Sequence, residues 1–102
     1  MREDGGADLK VVVRLAASLR NHAGGAASVD VEVDSPASVA DVLDALASSH
    51  PAVGRRLRDE NGTLRRHVNI FVGADNARDL DGLETVMPED TEISVMPAIS
   101  GG

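Results

Sequence analysis

The chain is 102 residues long, carries 17 acidic residues against 10 basic ones for a formal net charge of −7, and contains no Cys, Trp or Tyr. That length suits one domain with one core, and the lack of Cys removes disulfides, a thiolate nucleophile and cysteine-based metal sites. The acidic balance opposes a sequence-independent grip on a phosphate backbone, and no apolar run reaches the length of a membrane span, so neither nucleic acid nor membrane is an expected partner.

Such a surface keeps a small protein soluble and favours encounters with a basic partner cleft. Apart from Phe71, the large apolar residues are aliphatic, which predicts an aliphatic core. The N-terminus, Met1-Arg2-Glu3-Asp4-Gly5-Gly6, is polar and acidic, the reverse of a signal peptide. The cytoplasm is therefore the expected location.

Residues 1–8 lack periodicity and read as a disordered leader. From Leu9 to Leu15, the apolar Leu9, Val11, Val13 and Leu15 alternate with Lys10, Val12 and Arg14, the period of a strand with one buried face. Asn21 to Gly25 suits a turn, after which Val29, Val31 and Val33 alternate with Asp30, Glu32 and Asp34. These two strands are expected to pair as an antiparallel hairpin.

Ser35-Pro36 ends the second strand. Ser38 then suits a helix N-cap, with Asp41 three residues on as the capping-box acid. Val39, Val42, Leu43 and Leu46 follow the i, i+3, i+4, i+7 spacing of one helical stripe, predicting a helix to about Ser49 that Pro51 closes. Pro51 to Leu57 adds a short helical turn, and Asp59-Glu60-Asn61-Gly62 carries turn chemistry.

Val68, Ile70 and Val72 predict a third strand, with Asn69 and Phe71 on its other face. A short edge strand is expected near Ala77-Arg78, with Leu80 and Leu83 plugging the core. Ile93 and Val95 point inward along the last strand, Ser94 and Met96 outward. The order ββαββ packs most simply as one mixed sheet with the main helix across one face, and a right-handed crossover requires the last strand parallel to the first. The fold class is therefore α+β, a ubiquitin-like β-grasp, with the domain at 9–97 and a flexible tail at 98–102 ending in Gly101-Gly102.

Several constellations carry less. His22, His50 and His67 lack metal-ligand spacing, so no metal is expected. Asp41 and Asp44 read as a solvated helix face. Arg55, Arg56, Arg58, Arg65 and Arg66 form a basic cluster, explained first by charge balance and second by contact with an acidic partner. No phosphate-cradling Gly-Lys-Ser loop is present, so no bound cofactor is expected and ATP would belong to a partner.

The run Met87-Pro88-Glu89-Asp90-Thr91-Glu92-Ile93-Ser94-Val95-Met96-Pro97-Ala98-Ile99-Ser100-Gly101-Gly102 resembles the ending of the MoaD/ThiS family of β-grasp sulfur carriers and their protein-modifying relatives. Ser38 to Leu46 followed by His50-Pro51 resembles the family's helix, and His67 to Val72 its third strand, so the resemblance spans Leu9 to Gly102. The strand Val68-Asn69-Ile70-Phe71-Val72 and the segment Asp81-Gly82-Leu83 look most like carriers serving cysteine or thiosugar biosynthesis, ahead of those for molybdopterin or thiamine.

The resemblance implies that the working group is the carboxylate of Gly102, with Gly101, Ser100, Ile99, Ala98 and Pro97 as the recognised tail. A ubiquitin-activating-like adenylyltransferase would adenylate that carboxylate with ATP. A sulfur source would convert it to a thiocarboxylate, and a sulfur-accepting biosynthetic enzyme would use it. A protease that trims the tail, or a hydrolase that releases it, is a further expected partner. The chain itself would be a carrier and not an enzyme.

The physical chemistry agrees. An α-carboxyl group ionises at about pH 3.3–3.7, so at neutral pH it resists nucleophiles until activated. Glycines pass through a channel where a side chain would clash, and the five residues after Pro97 reach about 16–18 Å. Ordering such a tail costs about 1–2 kcal/mol per residue, so the body must contribute binding. Strand parity places Val12, Phe71 and Met96 on the face away from the helix, a predicted partner-docking patch. Two alternatives remain: a ubiquitin-like modifier joined to lysines through Gly102, and a β-grasp interaction module without tail chemistry.

Overall fold

The computed structural model describes residues 9–88 and 91–97. The elements run β1 (Leu9–Leu15), a one-turn helix α1 (Ala17–Arg20) continued by a 3-10 turn (Asn21–Ala23), β2 (Ser28–Val33), α2 (Val39–Ser49), α3 (Pro51–Leu57), β3 (Val68–Val72), β4 (Asp75–Asn76) and β5 (Ile93–Pro97), with 3-10 turns at Ala77–Asp79 and Gly82–Glu84.

The strands form one sheet in the order β2-β1-β5-β3-β4. The first two are an antiparallel hairpin, with Leu9 opposite Val33 and Val13 opposite Val29. The last strand enters between β1 and β3, parallel to the former and antiparallel to the latter. This is the mixed β-grasp sheet that the element order predicts, because α2 has to cross between the hairpin and the later strands.

Alternation and helical period meet in one core. Val11 and Val13 of β1, Val31 and Val33 of β2, Ile70 of β3 and Ile93 and Val95 of β5 join Val39, Val42, Leu43 and Leu46 of α2 in a single buried cluster. Leu46 is fully buried, so truncating it to Ala should cost about 2–5 kcal/mol. The start of α2 is a complete capping box: the Asp41 amide donates to Ser38 Oγ at 3.1 Å and the Ser38 amide donates to Asp41 Oδ2 at 2.9 Å. Ser38 and Asp41 thereby satisfy two donors that would otherwise lack partners.

Four local expectations change. Residues 17–23 are helical, where the sequence indicated only a turn at 21–25. The segment is too short for periodicity to show, but Leu19 and Ala23 are buried and close one end of the sheet, and Gly24, at φ 67°, ends it in the left-handed region. Pro51 to Leu57 forms seven residues of α-helix, because Val53 and Leu57 are buried in the core.

The edge strand is Asp75–Asn76 and not Ala77-Arg78. The two-residue loop Gly73-Ala74 turns the chain back at once, pairing Val72 with Asp75 and Phe71 with Asn76. Leu80 is 45% exposed and plugs nothing; Ala77, Thr85 and Met87 are the buried residues there, and Leu83 packs against the core only in part. In irregular chain no repeat dictates which way an apolar side chain turns. The expected leader at 1–8 and tail at 98–102 lie outside the described residues.

Candidate functional site

The sheet brings together the end from which the C-terminal segment departs. The central strand β5 ends at Pro97, which pairs with Val68, the first residue of β3. On its other side, the amide of Ala16 donates to the carbonyl of Val95 at 3.1 Å, carrying the β1–β5 ladder one residue past β1. Main-chain hydrogen bonds from both neighbours thus hold the final residues of β5. The expected tail residues Ala98, Ile99, Ser100, Gly101 and Gly102 lie beyond, outside the described residues.

This anchoring has further support that sequence reasoning did not find. Arg78 Nη2 donates to the carbonyls of Val68 at 2.8 Å and of Arg65 at 3.0 Å, pinning the start of β3 where it faces Pro97. An arginine ten positions from its acceptor carries no periodic signal. Only the turn at Gly73-Ala74, which folds the chain back along β3, brings it there.

The face of the sheet away from α2 carries the residues singled out by strand parity. Val12 stands on β1, Met96 on β5 opposite Asn69, and Phe71 on β3 opposite Ser94. Val12 and Phe71 are half-buried, and Met96 is 47% exposed. The three share one face of three adjoining strands but do not form one uninterrupted apolar surface. Arg14 and Glu92 form an ion pair on that face, and with Ser94 they lie between Val12 on one side and Phe71 and Met96 on the other. Phe71 and Met96 are diagonal neighbours nearest the departing segment. Beside them, Arg14, Arg20, Ser94 and Met96 help to line a cavity of about 220 Å³.

Among the described residues, no group of three or more His, Asp or Glu side chains is placed to hold a metal ion, and no helix is long and apolar enough to cross a membrane. Asp41 spends a carboxylate oxygen on its cap. Asp44 pairs with Arg58 at 2.8 Å, which offsets the charge of that member of the arginine cluster. His22 and His67 line one cavity together with Arg55, Arg56 and Arg65, a convergence across the fold that linear spacing does not reveal.

The comparisons with known proteins agree with this architecture. Residues 13–102 match the model of the ThiS family. The chain is 32% identical to the sulfur carrier protein CysO of Mycobacterium tuberculosis, over 92% of this chain and all of that protein. It is 35% identical to small archaeal modifier protein 1 of Haloferax volcanii, over 76% of this chain and 85% of the relative. In three dimensions it resembles one chain of the crystal structure of the Amycolatopsis orientalis BexX/CysO complex, with a TM-score of 0.78, 32% identity and coverage of 90% of this chain and 99% of that chain. These relatives are carrier and modifier proteins, not enzymes, and the chain belongs to the ThiS family of ubiquitin-like, β-grasp sulfur carriers.

Proposed function

We propose that this chain carries sulfur as a thiocarboxylate at Gly102. The observation that carries the reading is the family match, which extends through Gly102 itself, joined to a sheet whose central strand ends five residues earlier. The chemistry proceeds in two displacements on a partner enzyme. The Gly102 carboxylate attacks the α-phosphorus of ATP and pyrophosphate leaves, giving an acyl adenylate. A sulfide-level nucleophile then attacks the carbonyl carbon, and AMP departs with the electron pair of the broken C–O bond. ATP is the partner's ligand, and the carrier contributes only the reacting carboxylate.

The body of the carrier supplies the grip. Phe71 and Met96, beside the departing segment, form the main docking patch for the adenylyltransferase, with Val12 at its margin across the Arg14–Glu92 pair. The loaded carrier then meets an acceptor enzyme. The similarity to CysO, including a CysO solved in complex with BexX, supports the cysteine or thiosugar type over molybdopterin or thiamine. A cytoplasmic location fits this role.

Intact-mass measurement tests the reading. After incubation with a ubiquitin-activating-like enzyme, ATP and sulfide, the chain should gain the mass of one oxygen-to-sulfur exchange, localised to Gly102. No gain under conditions that load a known carrier would refute it. A second reading, conjugation to lysines through Gly102, draws on the similarity to small archaeal modifier protein 1. It predicts high-mass conjugates in cells that vanish when Gly102 is deleted. If loss of Gly101 and Gly102 leaves function intact, a plain interaction module replaces both.

A further inference from the structure

The overall charge of −7 favours a basic partner, yet the end of the molecule that delivers the C-terminal segment is basic. A cavity of about 380 Å³ there is lined by Arg55, Arg56, Arg65, His22 and His67, and among the described residues no carboxylate lines it. Val68 also lines it, and Val68 is the residue paired with Pro97. The same wall includes Ser18 and Leu19 of α1, which follows directly from β1. The cavity therefore adjoins the point where the chain leaves the sheet.

Among the described residues, no carboxylate forms an ion pair with these three arginines: the ion pairs are Arg14–Glu92 and Arg58–Asp44, and neither involves Arg55, Arg56 or Arg65. The backbone beneath them is fixed: the Arg65 amide donates to the Leu57 carbonyl at 2.8 Å, and Arg65 Nε donates to the Arg55 carbonyl at 3.0 Å. Asp44, Asp59 and Glu60 line a neighbouring cavity with Arg55 and Arg58, and two further acids mark the opposite end of the sheet. Asp34 follows Val33, which pairs with the first residue of β1, and Asp75 pairs with the last residue of β3.

We infer that this basic cavity is a docking surface for a carboxylate-lined rim on the adenylating enzyme, around the channel that accepts the C-terminal segment. The inference rests on the sulfur-carrier reading above. Its geometric argument is reach. Five residues span at most about 16–18 Å, so an enzyme that takes Gly102 into a buried site must bring its surface against the residues around Pro97. Whatever lines that rim faces three arginines and two histidines. Carboxylates match them in charge and in the planar geometry of the guanidinium group. The cluster also has a kinetic consequence: an acidic rim attracts these arginines and so speeds encounters that bring this cavity to the enzyme.

The test is carrier-dependent ATP–pyrophosphate exchange by the ubiquitin-activating-like adenylyltransferase of the same organism. Arg56→Glu is compared with Lys10→Glu. Both residues are exposed and both changes alter net charge equally, but Lys10 is at the far end of the sheet. Arg56→Glu should raise the KM for the carrier about tenfold or more with kcat retained, and the difference should shrink as ionic strength rises. Lys10→Glu should change KM less than about twofold. Equal KM values for the two variants would overturn the inference while leaving the carrier reading intact. So would saturable binding of inorganic phosphate, seen in the ring signals of His22 and His67 and lost in Arg56→Glu, if KM were unmoved, since the cavity would then hold a free anion. Wild-type carrier that supports no exchange would sink both readings.

Discussion

The guanidinium of Arg78 holds the main-chain carbonyl of Val68 at 2.8 Å, and Val68 is the residue that pairs with Pro97 at the last described rung of the sheet. One side chain in the 3-10 turn Ala77–Asp79 thereby fixes the end of the sheet at which β5 stops. Because Arg78 also bonds the Arg65 carbonyl, it ties the basic cavity to the same anchor.

Arg78→Ala should lose both charge-assisted bonds. We expect a stability loss of about 1–2 kcal/mol, read as a lower urea midpoint, together with faster amide exchange at Val68, whose own amide bonds the Arg65 carbonyl. An unchanged midpoint and unchanged exchange would show that the two carbonyls are served equally well by water.

Gly54 gives a prediction whose sign opposes intrinsic propensity. A Cβ placed there would lie 2.5 Å from Ala47 Cβ and 3.0 Å from its Cα, so α3 packs on α2 only because the residue has no side chain. Helix propensity alone would make Gly54→Ala stabilising by about 1 kcal/mol. The clash should reverse this and cost about 1–3 kcal/mol. Thermal unfolding decides between them: a higher midpoint would mean that the two helices separate at little cost.

Ser38→Ala removes the acceptor for the Asp41 amide and breaks the capping box. A loss of about 0.5–2 kcal/mol is expected in chemical denaturation. Ser38→Asn, which can also cap, should recover most of it. If Ala and Asn variants unfold at the same denaturant concentration, the cap is not what starts α2.

The docking patch divides along the Arg14–Glu92 pair. Phe71→Ser should weaken affinity for the activating enzyme about tenfold, as expected for a buried interface anchor, whereas Val12→Ser, across the pair, should have a smaller effect. Calorimetric titration of folded variants checks the order. Equal small losses for both would remove the patch from the binding surface.

Much of this protein was legible in the chain. Alternation in 9–15, 29–33, 68–72 and 92–97 identifies four strands, because a strand with one buried face must repeat every two residues. The spacing of Val39, Val42, Leu43 and Leu46 identifies the helix for the corresponding reason, and Ser38 with Asp41 marks its first turn. The Gly101-Gly102 ending, set against that order of elements, carries the family.

Tertiary contact decided the rest. Residues 17–20 are helical because Leu19 finds a place at the end of the sheet, and a single turn has too little periodicity to announce itself. Leu80 turns outward while Met87 is buried, since irregular chain has no repeat to direct its side chains. His22, Arg55 and the pair Arg65 and His67 come from three separate stretches, and only the fold sets them beside the strand that ends at Pro97. Local patterns report which face of an element is buried; they are silent on which distant faces meet, and the charge around the departing segment depends on that meeting.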